Sequence, residues 1–215
     1  FLITNSTSFA PDDDVSLELE VKNVETLIVK IFELNTLNYY RDQVREVNTD
    51  VNLDGLVPNF ERTLKYREPP QRKVLRKFAF PELKGRGAWV IDFIGNGKSS
   101  RVLVRKGKLR HLVRTGPAGH IFTILDESGT RIPDASIWLG GQQYSAQKNG
   151  TIQVPFSTSP GSQSLILVHD GFASFDRFSH ESENYSFAAG ILVDRESLLE
   201  RRKARVVIRP SLSVN

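Results

Sequence analysis

At 215 residues, with 39% hydrophobic and 25% charged side chains, the chain has the composition of a folded globular protein, long enough for one large domain or two of about 100 residues. Cysteine is absent, which excludes disulfides, thiolate metal sites, a cysteine nucleophile and an internal Cys–Gln thioester from these residues. The formal charge of +4 is modest, and in Arg101–Arg114 the basic residues alternate with Val and Leu as on a strand with one wet face, so nucleic-acid binding is not expected. Further basic clusters lie at Arg62–Lys77 and Arg201–Arg205.

No apolar run approaches the ~18–20 residues of a membrane span, so direct membrane insertion is not expected. Phe1-Leu2-Ile3 reads as mid-strand sequence with no leader peptide, which suits a piece of something longer whose localisation signals lie elsewhere. Pro11-Asp12-Asp13-Asp14 reads as a solvated turn, since no calcium-loop spacing follows. Val15–Val21 alternates strictly and predicts a half-buried strand. After the tight connection Lys22–Glu25, Thr26–Leu34 is apolar on both faces and predicts a central strand that Thr36–Tyr40 continues. Arg41–Asn48 is polar, a short helix or a loop. Phe60–Tyr66, Lys73–Phe80, Ala88–Ile94 and Ser99–Val104 are further strands, with Gly95-Asn96-Gly97 as a hairpin. Lys106-Gly107 predicts another hairpin, into Leu109–Val113, completing about seven strands of a first sandwich.

Thr115–Gly119 combines Gly and Pro between two strand patterns and is the predicted domain boundary. Beyond it, Ile121–Leu125, Ala135–Leu139 and Ile152–Phe156 are short apolar runs separated by Asp126–Gly129, Ile132–Asp134, Gly140-Gly141 and Asn149-Gly150, the pattern of an antiparallel sandwich. Ser164–Val168 and Phe172–Phe178 follow, with Phe172, Phe175 and Phe178 as core candidates. Glu183–Val193 and Ala204–Ile208 are the last strands, Glu196–Leu199 a helical turn between them, and Ser211–Asn215 the start of a connection onward. No helix of ten or more residues is expected.

Nothing converges on a catalytic, cofactor-binding or metal site. His111, His120, His169 and His180 have no ligand spacing and read as strand or surface histidines. No Gly-x-Ser-x-Gly elbow occurs, and Gly85-Arg86-Gly87 and Gly95-Asn96-Gly97 precede no helix that would cradle phosphate. Trp89, Trp138, Tyr144 and Phe156 read as core; the alternative, a sugar-binding face, requires Trp138 and Tyr144 side by side on one surface. Asn5, Asn149 and Asn184 begin glycosylation sequons.

The turn-rich stretch with Asp126–Gly129, Pro133–Ile137, Tyr144 and Asn149–Ile152 resembles carboxypeptidase-regulatory-like and macroglobulin-type β-sandwiches. Val21–Leu27, Val29–Leu34, Tyr39–Arg41, Gly87–Phe93 and Ser100–Gly107 are similar to the macroglobulin domains of large bacterial alpha-2-macroglobulin-like proteins, and Val193–Leu199 and Val207–Leu212 resemble the links between successive domains there. The resemblance implies an all-β chain of two tandem antiparallel β-sandwich domains of immunoglobulin/fibronectin-like, macroglobulin type, residues 1–115 and 116–215, the second ending in the start of a linker. It further implies a non-catalytic, structural and interacting segment of a periplasmic, cell-surface or secreted protease-trapping scaffold. Its expected partners are the neighbouring domains of the parent protein and proteases, and it needs no cofactor. An adhesin or carbohydrate-binding module, or accessory domains of a secreted hydrolase, are the alternatives. The matched positions are scaffold, so no functional residue carries over.

Overall fold

A computed structural model describes residues 5–183, 185–199, 201 and 203–214. In chain order the strands are β1 (Ser8–Phe9), β2 (Ser16–Lys22), β3 (Thr26–Glu33), β4 (Phe60–Lys65), β5 (Lys73–Ala79), β6 (Gly87–Gly95), β7 (Lys98–Lys106), β8 (Arg110–Gly116), β9 (Gly119–Leu125), β10 (Arg131–Ile132), β11 (Ser136–Leu139), β12 (Gln142–Ser145), β13 (Ile152–Val154), β14 (Gly161–His169), β15 (Phe172–His180), β16 (Tyr185–Val193) and β17 (Val206–Val214). One helix, α1 (Thr36–Gln43), follows β3, and a 3-10 turn covers Arg195–Leu198. The expected apolar end Phe1–Ile3 and the Asn184 sequon lie outside the described residues.

The chain is all-β, built of antiparallel sandwiches. In the first half, a sheet of order β1-β7-β6-β3-β4 covers the β2–β5 pair; only the short β1–β7 pairing is parallel. Alternation turns Leu17, Leu19 and Val21 of β2 onto Val29, Ile31, Trp89 and Ile91, which make one core with Phe78 and Phe80. Outside this core, Asn5 clamps the free side of β2: its carboxamide accepts from the Glu18 N–H at 2.8 Å and donates to the Glu18 carbonyl at 2.7 Å. At the other end of the sandwich, Lys106 is buried and donates to the carbonyls of Asp13 and Leu83, each at 2.8 Å. The aspartate turn thus supplies a backbone oxygen to a cation.

In the second half, β9 pairs β8 on one side and β13 and β10 on the other, and this sheet packs on β12-β11-β14-β15. Phe122, Ile124, Ile137, Leu165, Leu167 and Phe178 fill the space between. The 116–119 turn of the β8–β9 hairpin needs its last glycine. Gly119 has φ +117°, and a Cβ there would sit 2.1 Å from the Val154 carbonyl oxygen.

Four local expectations change. Thr36–Tyr40 leaves the strand path and forms α1, because the Asn35 side chain accepts the Asn38 N–H at 3.0 Å and caps a helix start. Leu109–Val113 makes no hairpin with β7: Gly107, at φ +77°, turns the chain away, and β8 pairs β9 instead. Glu183–Val193 and Ala204–Ile208 do not join the second sandwich; β16 and β17 form a separate two-stranded ribbon. Ser211–Val214, expected as connection, belongs to β17, and Pro210 is accommodated there because a ribbon edge leaves its missing N–H without consequence.

Candidate functional site

The central strands of the first sandwich carry apolar residues on the face turned away from their own core. Phe32 of β3, Val90 of β6 and Leu103 of β7 cluster with Tyr40 of α1, Val47 and Leu53 of the following loop, and Ile166 and Ala173 of β14 and β15. This third cluster joins the two halves, and Trp138, Val168 and Phe175 pack at its margin. Period-two alternation explains the split among the phenylalanines of β15: Phe178 enters the second core, while Phe175 points the other way and meets the Tyr40 ring at 5.5 Å between centroids.

Polar contacts fix the register of the joint. The Ala173 N–H donates to the Thr36 hydroxyl at 3.1 Å, and the Leu109 N–H donates to the Ser174 hydroxyl at 2.9 Å; both bonds are buried. Arg86, just before β6, holds Glu127 in the β9–β10 turn at 3.2 Å and Asp126 at 3.8 Å. The Asp126 carboxyl is held below the usual carboxylate range, first by the Ser128 hydroxyl and also by neighbouring amides and Arg86. The loop after α1 is pinned from β7, where Arg101 donates to the Val51 carbonyl at 3.1 Å and Arg105 donates to the Val47 carbonyl. Val44 ends the helix at φ 49°, a left-handed conformation costly for a β-branched residue, and its N–H returns to the Tyr40 carbonyl.

The Tyr40 phenol donates to Glu46 at 2.8 Å, and burial, reinforced by the Glu46 charge, pushes its pKa well above the ordinary tyrosine value. The pocket beside Tyr40, Glu46 and Arg105 is about 170 Å³, below the ~300–1,000 Å³ of small-molecule sites. A neighbouring cleft of about 400 Å³ lies over Trp138, whose ring is covered by the Arg41 guanidinium at 4.1 Å.

The residues singled out from sequence are dispersed. Trp89 belongs to the first core, Tyr144 packs against the second, and Phe156 rests edge-on to His120 at 5.3 Å. In the β11–β12 register Tyr144 lies opposite Ile137 and Trp138 opposite Gln143, so Tyr144 and Trp138 occupy opposite faces of one sheet. The flat surface with Trp138 and Tyr144 side by side, which the sugar-binding alternative requires, is therefore not formed. His120 and His180 meet edge to face in the second sandwich, 5.4 Å between centroids, with the Glu181 N–H donating to His120 at 3.3 Å. Burial, and then His180, lower the His120 pKa. His111 pairs with Asp176 and His169 with Asp134, each at 3.2 Å. No group of metal-binding side chains occurs among the described residues. What sequence reading missed is the joint itself, whose signal was the two-sided apolarity of β3 and β6.

The chain is similar to several known proteins. Residues 27–107 match the family described as AbpF first immunoglobulin-like domain, a span that runs from the start of β3 to the turn after β7. Across 219 aligned residues the chain is 44% identical to Actin-binding protein F of Dictyostelium discoideum, covering 99% of this chain and 9% of that protein. Among solved structures, the Escherichia coli alpha-2-macroglobulin fragment spanning domains MG0-NIE-MG1 aligns at 12% identity and TM-score 0.48 over 79% of this chain and 61% of that one. A chimeric titin Z1Z2 tandem aligns at 14% identity and TM-score 0.37, over 82% and 94%.

Proposed function

We propose that the chain is a rigid, non-catalytic pair of immunoglobulin-like modules within a long protein, serving as spacer and interaction surface. The observation that carries this is the apolar cluster shared by the two halves, in which residues from both sandwiches, α1 and its loop are buried together. We place the division at Gly107–Leu109, where the first sheet ends, and not at the expected Thr115–Gly119, because those residues close the β8–β9 hairpin within the second sandwich. The partner of the long protein is proposed to be actin, on the strength of the name of the 44% identical relative, of which this chain spans about a tenth. The exported location and protease trapping rest only on the macroglobulin resemblance of short motifs.

Because the chain has no cysteine, single labels can be placed at will. Spin labels at Ser100→Cys and Ser145→Cys, one exposed position in each half, are expected to give one narrow distance distribution. A broad distribution overturns the rigid pair.

A further inference from the structure

We propose that the open flank of the first sandwich, between β4 and β5, is a docking edge for an extended acidic peptide segment that adds to β4 as a further strand. Among the described residues both strands end their sheets: β4 has only β3 beside it, and β5 only β2. The hydrogen-bond phase decides which backbone groups are left over. Tyr66 donates to the Glu25 carbonyl at 2.8 Å, so alternate residues counted from Tyr66 face β3, while Glu61, Thr63 and Lys65 turn their N–H and C=O groups to the flank. On the facing strand, Phe80 donates to the Val15 carbonyl at 2.9 Å, which turns Lys73, Leu75 and Lys77 outward by the same alternation. Between the two edges runs a groove of about 640 Å³ with Leu64, Tyr66 and Phe78 along it.

The charge of the groove selects the occupant. From Arg62 to Lys77 the sole carboxylate is Glu68, set among basic residues on both edges. Two guanidiniums are already in place: Arg62 lies over the Phe80 ring at 4.7 Å and Arg76 over Tyr66 at 3.6 Å. Each is already engaged, Arg62 donating to the Ala79 carbonyl at 2.8 Å and Arg76 pairing with Glu68, so the charge offered to a ligand comes from the exposed Lys65 and Lys77, one on each edge. A peptide strand offers what both features require, backbone groups for the β4 edge and carboxylates at alternate positions for Lys65 and Lys77. A continuous polyphosphate fits less well, because it carries no donor for the outward carbonyls of Glu61, Thr63 and Lys65.

The test is fluorescence anisotropy of the 215-residue chain with a short labelled peptide of alternating Glu and Val. Alternating Lys/Val peptide, oligothymidylate and phosphatidylserine vesicles are the competing probes. Saturable binding of the Glu/Val peptide alone is expected, weakening on going from about 50 to 300 mM salt as screening shortens the reach of the exposed lysines. Thr63→Pro removes an outward N–H from an edge strand, where proline is tolerated, and is expected to weaken binding by about tenfold or more, with circular dichroism verifying the fold. Lys77→Glu, an exposed change that leaves the core intact, gives the same loss should Thr63→Pro fail to fold. No binding, equal binding of the Lys/Val peptide, preference for the oligonucleotide or vesicles, or unchanged affinity in a folded Thr63→Pro or Lys77→Glu variant overturns the proposal.

Discussion

At the joint, Phe32, Val90 and Leu103 on one sheet meet Ile166 and Ala173 on another and fall below a tenth exposed; on the ribbon, Phe187, Ile191 and Ile208 remain 70%, 67% and 60% exposed. The pairing register shows that the ribbon is as regular as the joint. Phe187 opposes Leu212, Ala189 opposes Pro210 and Ile191 opposes Ile208 on one face, while Ser186 opposes Ser213 and Ala188 opposes Ser211 on the other. Both surfaces are therefore apolar sheet faces laid down by the same alternation. What separates them is the partner. The outer face of the first sandwich is covered by α1 and the second sandwich, and the ribbon face is bare, although two strands alone are marginal without a covering layer.

Removing the largest filler of the joint is the strongest way to break this contrast. Tyr40→Ala deletes a buried ring in contact with Phe175 and is expected to cost about 3–4 kcal/mol. It should also split a single urea transition into two, because the halves then unfold separately; an unsplit transition at unchanged midpoint would sink the joint as the coupling element. A smaller effect separates the second half from the first by pH. Neutral His120 accepts the Glu181 N–H, and its folded pKa lies below the ordinary 6.5. The unfolded chain therefore takes up the proton first, so the stabilising contribution is complete above about pH 6.5 and is lost as pH falls below that value toward the folded pKa. Urea midpoints between pH 7.5 and 5 are expected to decline in the native chain and to decline less in His120→Phe. The smallest effect belongs to the ribbon: Phe187→Ser should change the stability of the two sandwiches by no more than about 0.5 kcal/mol while lowering the binding of a hydrophobic dye. A large loss of stability would mean that the ribbon face packs on the rest of the chain.

Much of the framework was legible. Strict alternation marked β2, and Asn96-Gly97, both at positive φ, made the β6–β7 hairpin predictable. The two-sided apolar runs of β3 and β6 announced burial on both faces but carried no information on what covers the second face. That information is tertiary. The helix α1 was hidden because TLNYYRDQ has no apolar stripe and buries only Thr36 and Tyr40; a single cap and the joint decide its conformation. The pairing of β8 was misread because a glycine turn looks the same whether it closes a hairpin or carries the chain to the next sheet. The basic cluster at Arg62–Lys77 was plain in sequence, yet only the hydrogen-bond phase of β4 and β5 shows that it borders two unsatisfied edges.

The clamp at Asn5 bears on how this protein avoids unwanted association. A strand end with free amides invites any extended chain to pair with it, and here a side chain supplies the missing rung by taking both backbone groups of Glu18. One flank of the β2–β5 pair is thereby closed to self-assembly while the β5 flank stays open, which makes the sheet a one-sided template. The same carboxamide cannot hold that rung and carry a glycan, so the guard on β2 and occupancy of the Asn5 sequon are mutually exclusive states.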